Sequence, residues 1–164
     1  MDTQIREYTD KDVPFIKTSF EALHDFVVSL DPIKRLRKMP GYSDVFFAKL
    51  LGTIKTNQGV IFIAEIENKP VGFIAGFVAD NQSEENLLEV IPLQLGIISD
   101  IYIEPQYRGK KMGGALMKTM EKYFVNKNCD ALWVSTNGFN TQALHLYKSE
   151  GFMEREMGLL KKIG

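Results

Sequence analysis

The feature that most limits the possible folds of this chain is the junction that follows the run LQLGIISDIYIEP, residues 93–105. That run is mostly apolar, which is typical of a strand covered on both faces of a sheet. From Met112 onward, large apolar side chains recur at steps of four as far as Phe124, which predicts an amphipathic helix. The run ALWVST, residues 131–136, then predicts the next strand. The segment therefore predicts a central strand, a helix and a neighbouring strand in succession.

The residues before this unit predict one strand, two helices and a hairpin. The strand is QIREY, residues 4–8, and an apolar face marks the first helix, which ends before Asp31. The members of that face are Ile16, Phe20, Leu23, Val27 and Leu30. Ser43 is suited to cap the second helix. The sequence ENKP, residues 67–70, suits a tight reversal between two antiparallel strands.

The residues after the unit predict a fourth helix and the end of the sheet. Asn140 is suited to cap this helix and Gly151 to terminate it. The sequence FMEREMGLLKKI, residues 152–163, can supply the closing strands. The order of elements predicts an α/β (α+β) fold in which helices cover both faces of the sheet.

Length and charge reduce the number of possible function classes. A chain of 164 residues with 45% hydrophobic content suffices for a single domain, residues 1–164, with its own core. Its 20 basic and 21 acidic side chains give a formal charge of -1, which argues against nucleic acid or an anionic membrane as a partner. The lone Cys129, a start without secretion-signal features and the lack of a membrane-length apolar run lead us to expect a cytoplasmic protein.

The loop between the predicted central strand and the third helix has the composition of an anion-binding site. A helix N-terminus presents backbone N–H groups without helical partners and carries partial positive charge. The loop adds glycines and cations, which are Arg108, Gly109, Lys110, Lys111, Gly113 and Gly114. A phosphate or pyrophosphate fits such a loop. The spacing matches neither the ATP-binding nor the NAD-binding fingerprint, and an ordinary solvated helix start remains the alternative.

The sequence YIEPQYRGKKMGGALM, residues 102–117, resembles the acyl-CoA pyrophosphate motif of the GCN5-related N-acetyltransferase (GNAT) family. That motif reads Arg/Gln-x-x-Gly-x-Gly/Ala after the fourth strand. Arg108, Met112 and Gly113 fit it, whereas Lys111 replaces its first glycine. A second block, NTQALHLYKSEGF at 140–152, resembles the family's Asn-x-x-Ala-x-x-Leu-Tyr-x-x-x-Gly-Phe sequence. Its matching residues are Asn140, Ala143, Leu146, Tyr147, Gly151 and Phe152.

The resemblance implies a mixed, mainly antiparallel sheet of about six to seven strands, in which the fourth and fifth strands splay apart. Acetyl-CoA would enter that gap as a co-substrate. Pantetheine would hydrogen-bond backbone groups of the fourth strand, and pyrophosphate would lie over the loop that follows it. The implied cofactor-binding residues are Ile101, Tyr102, Ile103, Arg108, Gly109, Lys110, Lys111, Met112, Gly113, Gly114, Asn140 and Lys148.

Direct attack of an amine on a thioester requires few catalytic groups once both reactants are positioned. The resemblance implies that Tyr147 is the acid that protonates the departing thiolate, although a purely structural core aromatic is the alternative. Asp100 lies among apolar neighbours, so desolvation should raise its pKa towards the range of a general base. Two alternatives remain open: water as the base instead, and Asp100 as only a capped or solvated carboxylate at the end of a strand. The predicted catalytic residues are therefore Tyr147 and Asp100.

The sequence as a whole predicts an acetyl-CoA-dependent N-acetyltransferase acting on a primary amine in a ternary complex. A non-catalytic acyl-CoA-binding sensor is the alternative. We expect no metal, because His24 and His145 lie on different predicted helices with no second ligand at metal spacing. We expect a small-molecule or peptide amine as the acceptor, although the sequence does not identify it, and a homodimer is the candidate assembly. The acidic loop from Asp80 to Glu89 could steer a cationic acceptor or be merely solvated.

Overall fold

The computed structural model describes residues 3–80 and 82–161, and within them the chain forms a five-stranded sheet and four α-helices. The strands are β1 (Thr3–Glu7), β2 (Val60–Ile66), β3 (Lys69–Val78), β4 (Leu95–Ile103) and β5 (Ala131–Val134). The helices are α1 (Val13–Leu30), α2 (Tyr42–Thr56), α3 (Met112–Asn126) and α4 (Thr141–Ser149). The strand order is β1-β2-β3-β4-β5, antiparallel as far as β4, with β5 parallel to β4. The predicted mixed, mainly antiparallel sheet is confirmed.

The predicted hairpin is formed by β2 and β3, which are joined by only two residues. Both of these residues, Glu67 and Asn68, have positive φ values of 50° and 60°. Two central residues with positive φ are the requirement of a type I′ turn, whose twist matches that of the flanking strands. The reversal thus falls within the ENKP sequence that predicted it.

Helices pack on both faces of the sheet, as predicted. On one face, α1 and α2 contribute Ile16, Phe20 and Phe47 to a buried cluster that includes Phe73 of β3. On the other face, the apolar side of α3 buries Leu116, Met120 and Phe124 against β3 and β4. No helix within residues 3–80 and 82–161 is long and apolar enough to cross a membrane.

The ring of Phe124 on α3 packs directly against two glycines of the sheet, Gly76 and Gly96. An ideal Cβ at Gly96 would meet Phe124 Cγ at 2.4 Å, and one at Gly76 would meet Phe124 Cζ at 2.9 Å. Real Cβ atoms do not approach so closely, so α3 can pack at this distance only because both positions lack a side chain. The two glycines therefore set the spacing between α3 and the strands.

A β-bulge in β4 changes which face its side chains point to. In the pairing of β3 with β4, Ala75 is opposite Asp100 and Gly76 is opposite Ile98, which leaves Ser99 as an extra residue. Ile98 consequently packs in the cluster on the α3 side, whereas Tyr102 packs in the cluster on the α1 side. In a regular strand these two residues, four positions apart, would share a face.

The pairing of β4 with β5 stops immediately before this bulge. It runs from Leu95 opposite Ala131 to Ile98 opposite Val134, after which β4 continues to Ile103 without a strand on that side. The predicted separation of the fourth and fifth strands is thereby confirmed. It leaves backbone groups of β4 facing an open gap.

Two details of the prediction are wrong. The sheet has five strands among the described residues rather than six to seven, because residues 152–161 form no strand. An ion pair of 2.6 Å between Lys148 and Glu154 ties this segment to α4, and Met153 and Met157 are exposed. Residues 162 and 163 lie outside the described residues.

The second detail concerns the start of α2, which is not capped by Ser43. The helix begins at Tyr42, preceded by Gly41 with a φ of +79°. The backbone N–H of Ser43 donates instead to the carboxylate of Glu21 on α1, at 3.0 Å. The carboxylate of Glu21, on a neighbouring helix, thus accepts a hydrogen bond from the first turn of α2, where the sequence predicted a cap by Ser43 itself.

Candidate active site

A cavity of about 1410 Å³ opens where β4 and β5 separate. One wall consists of Ser99 to Ile103 of β4, and the loop from β4 to α3 continues it. The opposite wall consists of residues 135–137, which follow β5, and of α4. Part of α1 closes a third side. The cavity is therefore a direct consequence of the gap in the sheet.

The N-terminal end of α3 opens into this cavity. Gly109 and Lys111 in the preceding loop both have positive φ values, 74° and 62°, and Lys111 immediately precedes the helix. Lys111 thus adopts the left-handed conformation that glycine would adopt most readily. The first residues of α3, Met112 to Gly114, line the cavity together with Lys111. Unpaired N–H groups of the first helical turn and a cation therefore meet at one end of the cavity.

Gly113 and Gly114 allow α4 to approach α3 closely. A Cβ at Gly113 would meet Leu146 Cδ1 at 3.0 Å, and one at Gly114 would meet the Glu150 carboxylate at 2.5 Å. Their lack of side chains thus serves the packing of two helices as well as access to the backbone of the loop.

Arg108 spans the mouth of the cavity. Its Nε donates a hydrogen bond of 3.0 Å to the carbonyl of Ile103, and its terminal nitrogen donates one of 3.4 Å to Gln142 of α4. The guanidinium lies 5.6 Å from the ring centroid of Phe26 on α1 and 6.0 Å from that of Tyr102. These cation–π interactions and the hydrogen bond to Gln142 hold the guanidinium between α1, β4 and α4.

Asn140 lies at the opposite end of the gap and caps α4. Its Oδ1 accepts a hydrogen bond of 3.2 Å from the backbone N–H of Ala143, and the side chain is buried. The cap agrees with the sequence prediction. Because the cap occupies the amide oxygen, the amide NH₂ group can donate towards the cavity that Asn140 lines.

The two predicted catalytic residues line the cavity from different elements. Asp100 comes from β4, directly after the bulge, and burial raises the pKa of its carboxyl group from 3.8 to about 6. Tyr147 comes from α4 and is only 8% exposed. Burial, and to a smaller extent the charge of Asp100, raises the pKa of the Tyr147 hydroxyl to about 12. A proton acceptor near neutrality and a neutral hydroxyl donor are therefore available in one cavity.

A family model described as "Acetyltransferase (GNAT) family" matches residues 22–152. The chain belongs to the GNAT family. The match includes β2 to β5, α2 to α4 and the second half of α1, and so contains the parts of these elements that line the cavity. The resemblance that two sequence blocks indicated is thus confirmed.

An uncharacterized N-acetyltransferase of Methanocaldococcus jannaschii is a relative of this GNAT chain. The two are 26% identical over 159 residues, which is 93% of this chain and 62% of the relative. The chain thus spans less than two thirds of that protein's length.

Solved structures show the same fold at lower identity. A tetramutant of a Bacillus halodurans protein superposes with a TM-score of 0.82 at 17% identity, covering 98% of this chain and 99% of that one. The aminoglycoside N-acetyltransferase AAC(6')-Iy, solved with the bisubstrate analogue CoA-S-monomethyl-acetylneamine, superposes with a TM-score of 0.71 at 15% identity. That alignment covers 100% of this chain and 99% of the enzyme.

Most residues predicted to bind or react with substrates in this GNAT chain lie together around the cavity. Those that line it are Asp100, Ile101, Tyr102, Ile103, Arg108, Gly109, Lys111, Met112, Gly113, Gly114, Asn140 and Tyr147. Lys110 and Lys148 do not. The Lys110 ammonium lies 5.2 Å from the ring centroid of Tyr107, and Lys148 pairs with Glu154.

The sequence reasoning did not assign a site role to α1, yet Leu23, Phe26 and Val27 line the cavity. The sequence indicated one apolar face along α1 without dividing it between core and cavity. Its first part, Ile16 and Phe20, is buried in the core, but the face continues beyond the region that the core covers. The apolar face of α1 therefore contributes to the core and to the cavity wall, and Leu23 contacts both.

The described residues contain no group of three or more His, Cys, Asp or Glu side chains placed to hold a metal ion. The two histidines have different surroundings. His24 stacks on Tyr42 at 4.1 Å and its Nε2 is 2.9 Å from the carbonyl of Arg37, whereas His145 lines the cavity.

Proposed function

We propose that this chain transfers the acetyl group of acetyl-CoA to a primary amine by direct attack within a ternary complex. The observation that carries the proposal is the joint position of Asp100 and Tyr147 on one cavity, which extends to the N-terminus of α3. An acyl carrier with a pyrophosphate at one end and a thioester at the other suits such a cavity. Membership of the GNAT family supports the same activity.

The proposed position of acetyl-CoA follows the open edge of β4. The amide groups of pantetheine would hydrogen-bond the backbone of Ile101, Tyr102 and Ile103, which has no strand partner on the β5 side. The pyrophosphate would lie over the loop from Gly109 to Gly114, near the cations of Arg108 and Lys111. The NH₂ group of Asn140 would donate from the α4 side. This placement directs the thioester towards Asp100 and Tyr147.

The proposed reaction needs three proton transfers, the formation of a C–N bond and the cleavage of a C–S bond. Asp100, directly or through a water, takes a proton from the acceptor ammonium, and the neutral amine attacks the thioester carbonyl. When the tetrahedral intermediate collapses, the C–S bond breaks, the new C–N bond remains and Tyr147 protonates the sulfur. The nitrogen gives up its second proton, which returns to Tyr147 directly or through a water, and Asp100 releases the first proton to solvent. Burial disfavours a thiolate as it disfavours a phenolate, so the pKa of the departing thiol also rises towards that of Tyr147. The products are the acetamide and CoA.

A non-catalytic acyl-CoA sensor remains the second candidate, and we propose a single domain for either activity. In both cases the cofactor site is the same, so binding alone does not separate them. Release of CoA in the presence of amines does, because a sensor binds acetyl-CoA without turnover. A panel of primary amines with thiol detection is therefore the first experiment.

The cofactor site can be tested by reversing one charge and using a neighbouring lysine as the matched control. Lys111→Glu places a negative charge at the start of α3, within the cavity, and retains a side chain at a position with positive φ. Lys110→Glu makes the same change one residue away, where the side chain lies outside the cavity lining. Calorimetry should show at least a tenfold weaker affinity for acetyl-CoA in the first variant only. Equal affinities in the two variants would contradict the proposed pyrophosphate position.

A further inference from the structure

Resting on the proposed function, we infer that the acceptor is a small amine with an apolar body and a single positive charge, and that polycationic amines are poor acceptors. The inference concerns the part of the cavity bounded by α1 and by Asp100. Three observations carry it: an apolar wall, the distribution of charges around the cavity, and the pairing of the nearby carboxylates.

The wall on the α1 side is apolar. Leu23, Phe26 and Val27 are three and four residues apart, so they lie on one helix face, and that face lines the cavity. A hydrocarbon or aromatic group placed against this wall would leave water, which favours binding in proportion to the area buried. A body covered with hydroxyl and amino groups would lose hydration there without gaining hydrogen bonds from the three side chains.

The charges that line the cavity do not suit a polycation. The charged side chains of the lining are Asp100, Glu150, Arg108, Lys111 and Lys118. Glu150 lies against Gly114 of α3, towards the proposed cofactor end, so Asp100 is the lining carboxylate next to the reacting amine. It can accept one ammonium group. At the edge of the apolar wall the charged side chain is Arg108, held over Phe26, so this wall offers no carboxylate to a second ammonium group.

The carboxylates on the neighbouring surface of α1 and α2 already have partners. Lys38 pairs with both Glu21 and Asp25, and Lys17 pairs with Asp44 at 2.7 Å. Extra ammonium groups of an acceptor would have to displace these lysines.

The carboxylate of Asp31, at the end of α1, is occupied in a different way. It accepts hydrogen bonds from the backbone N–H groups of Ile33, Arg35 and Leu36, at 3.1, 2.6 and 2.7 Å. These bonds shape the loop that follows α1. Glu21, Asp25, Asp44 and Asp31 thus have partners within the protein and do not line the cavity, which leaves Asp100 to receive the amine.

The structural likeness to an aminoglycoside N-acetyltransferase does not argue against this inference. At 15% identity that likeness shows the fold alone. Acceptor choice depends on the side chains of α1 and β4, and in this chain those side chains form an apolar wall with one carboxylate.

The test compares amines that differ in charge and in apolar area. We expect kcat/KM for phenethylamine and hexylamine to exceed that for spermidine and neamine by at least tenfold at low ionic strength. Leu23→Glu adds a carboxylate to the wall and should reduce this preference at least tenfold. Val45→Glu adds the same charge at an exposed position of α2 that does not line the cavity, and should leave the preference unchanged.

The possible outcomes separate this inference from the proposed function. Turnover that favours spermidine or neamine in the wild-type protein would overturn the inference and leave the proposed function intact. Binding of acetyl-CoA without turnover of any amine would instead contradict the proposed function. In that case calorimetry of phenethylamine and spermidine with the CoA-bound protein still decides the inference, which requires the monoamine to bind more tightly.

Discussion

Removing the hydroxyl group of Tyr147 should impair the chemical step with little effect on folding or cofactor affinity. The hydroxyl forms no hydrogen bond to another residue within 3–80 and 82–161, whereas the ring packs against Phe152 with a centroid distance of 6.0 Å. Tyr147→Phe retains that packing, so we expect its free energy of unfolding to remain within about 0.5 kcal/mol of the wild-type value. With a pKa of about 12, the hydroxyl is protonated at neutral pH and can act as an acid.

Loss of one general acid typically lowers turnover by roughly 100-fold, which corresponds to about 2.7 kcal/mol of transition-state stabilisation. Single-turnover mixing of preformed acetyl-CoA complex with excess amine measures the chemical step and excludes product release from the rate. Urea denaturation and acetyl-CoA calorimetry of the same preparation serve as controls. A wild-type single-turnover rate in a folded variant would refute the assignment of Tyr147 as the acid.

The remaining predictions concern the base and the packing of α3. For the wild-type enzyme, kcat/KM should fall as the pH decreases through about 6, because Asp100 gains a proton there. The variant Asp100→Asn should lose most of the activity and this pH dependence. An active variant with an unchanged pH profile would indicate that water is the base. Because the folded carboxyl binds its proton more tightly than the unfolded one, wild-type stability should also decline as pH rises from about 4 to about 6, and the variant should lack this decline. Gly96→Ala should destabilise the fold by about 1–3 kcal/mol in urea denaturation, because its Cβ would meet Phe124 at 2.4 Å. Gly52→Ala, in α2 with no atom within 4 Å of the new Cβ, should instead stabilise it by about 0.5–1 kcal/mol, so shifts of the same sign would contradict the packing argument.

Local patterns predicted the parts of this molecule that local chemistry determines. The period of apolar residues located α3, and the side chain of Asn140 fixed the start of α4. The ENKP sequence located the hairpin turn, whose two central residues have positive φ values. Each of these patterns involves residues close to one another in the chain. Such a pattern can therefore be recognised in a single sequence, without knowledge of contacts between distant segments.

The features that the sequence did not reveal depend on contacts between distant segments. Glu21 binds the N-terminus of α2 from another helix, so the weaker local signal of Ser43 was misleading. The first part of the apolar face of α1 is buried in the core, and its later part lines the cavity. Leu23 therefore looks the same as Phe20 in the sequence, although only Phe20 is buried in the core. The bulge at Ser99 is likewise visible only in the pairing of β3 with β4.

The bulge also bears on how this strand can change during evolution. Replacing a side chain of β4 alters one contact and has a graded effect. Deleting Ser99 would remove the bulge and with it the local bend and added twist at the point where the pairing with β5 ends, although Asp100 would still lie opposite Ala75. Homologous sequences should therefore vary in composition along β4 while its length between these two residues stays fixed.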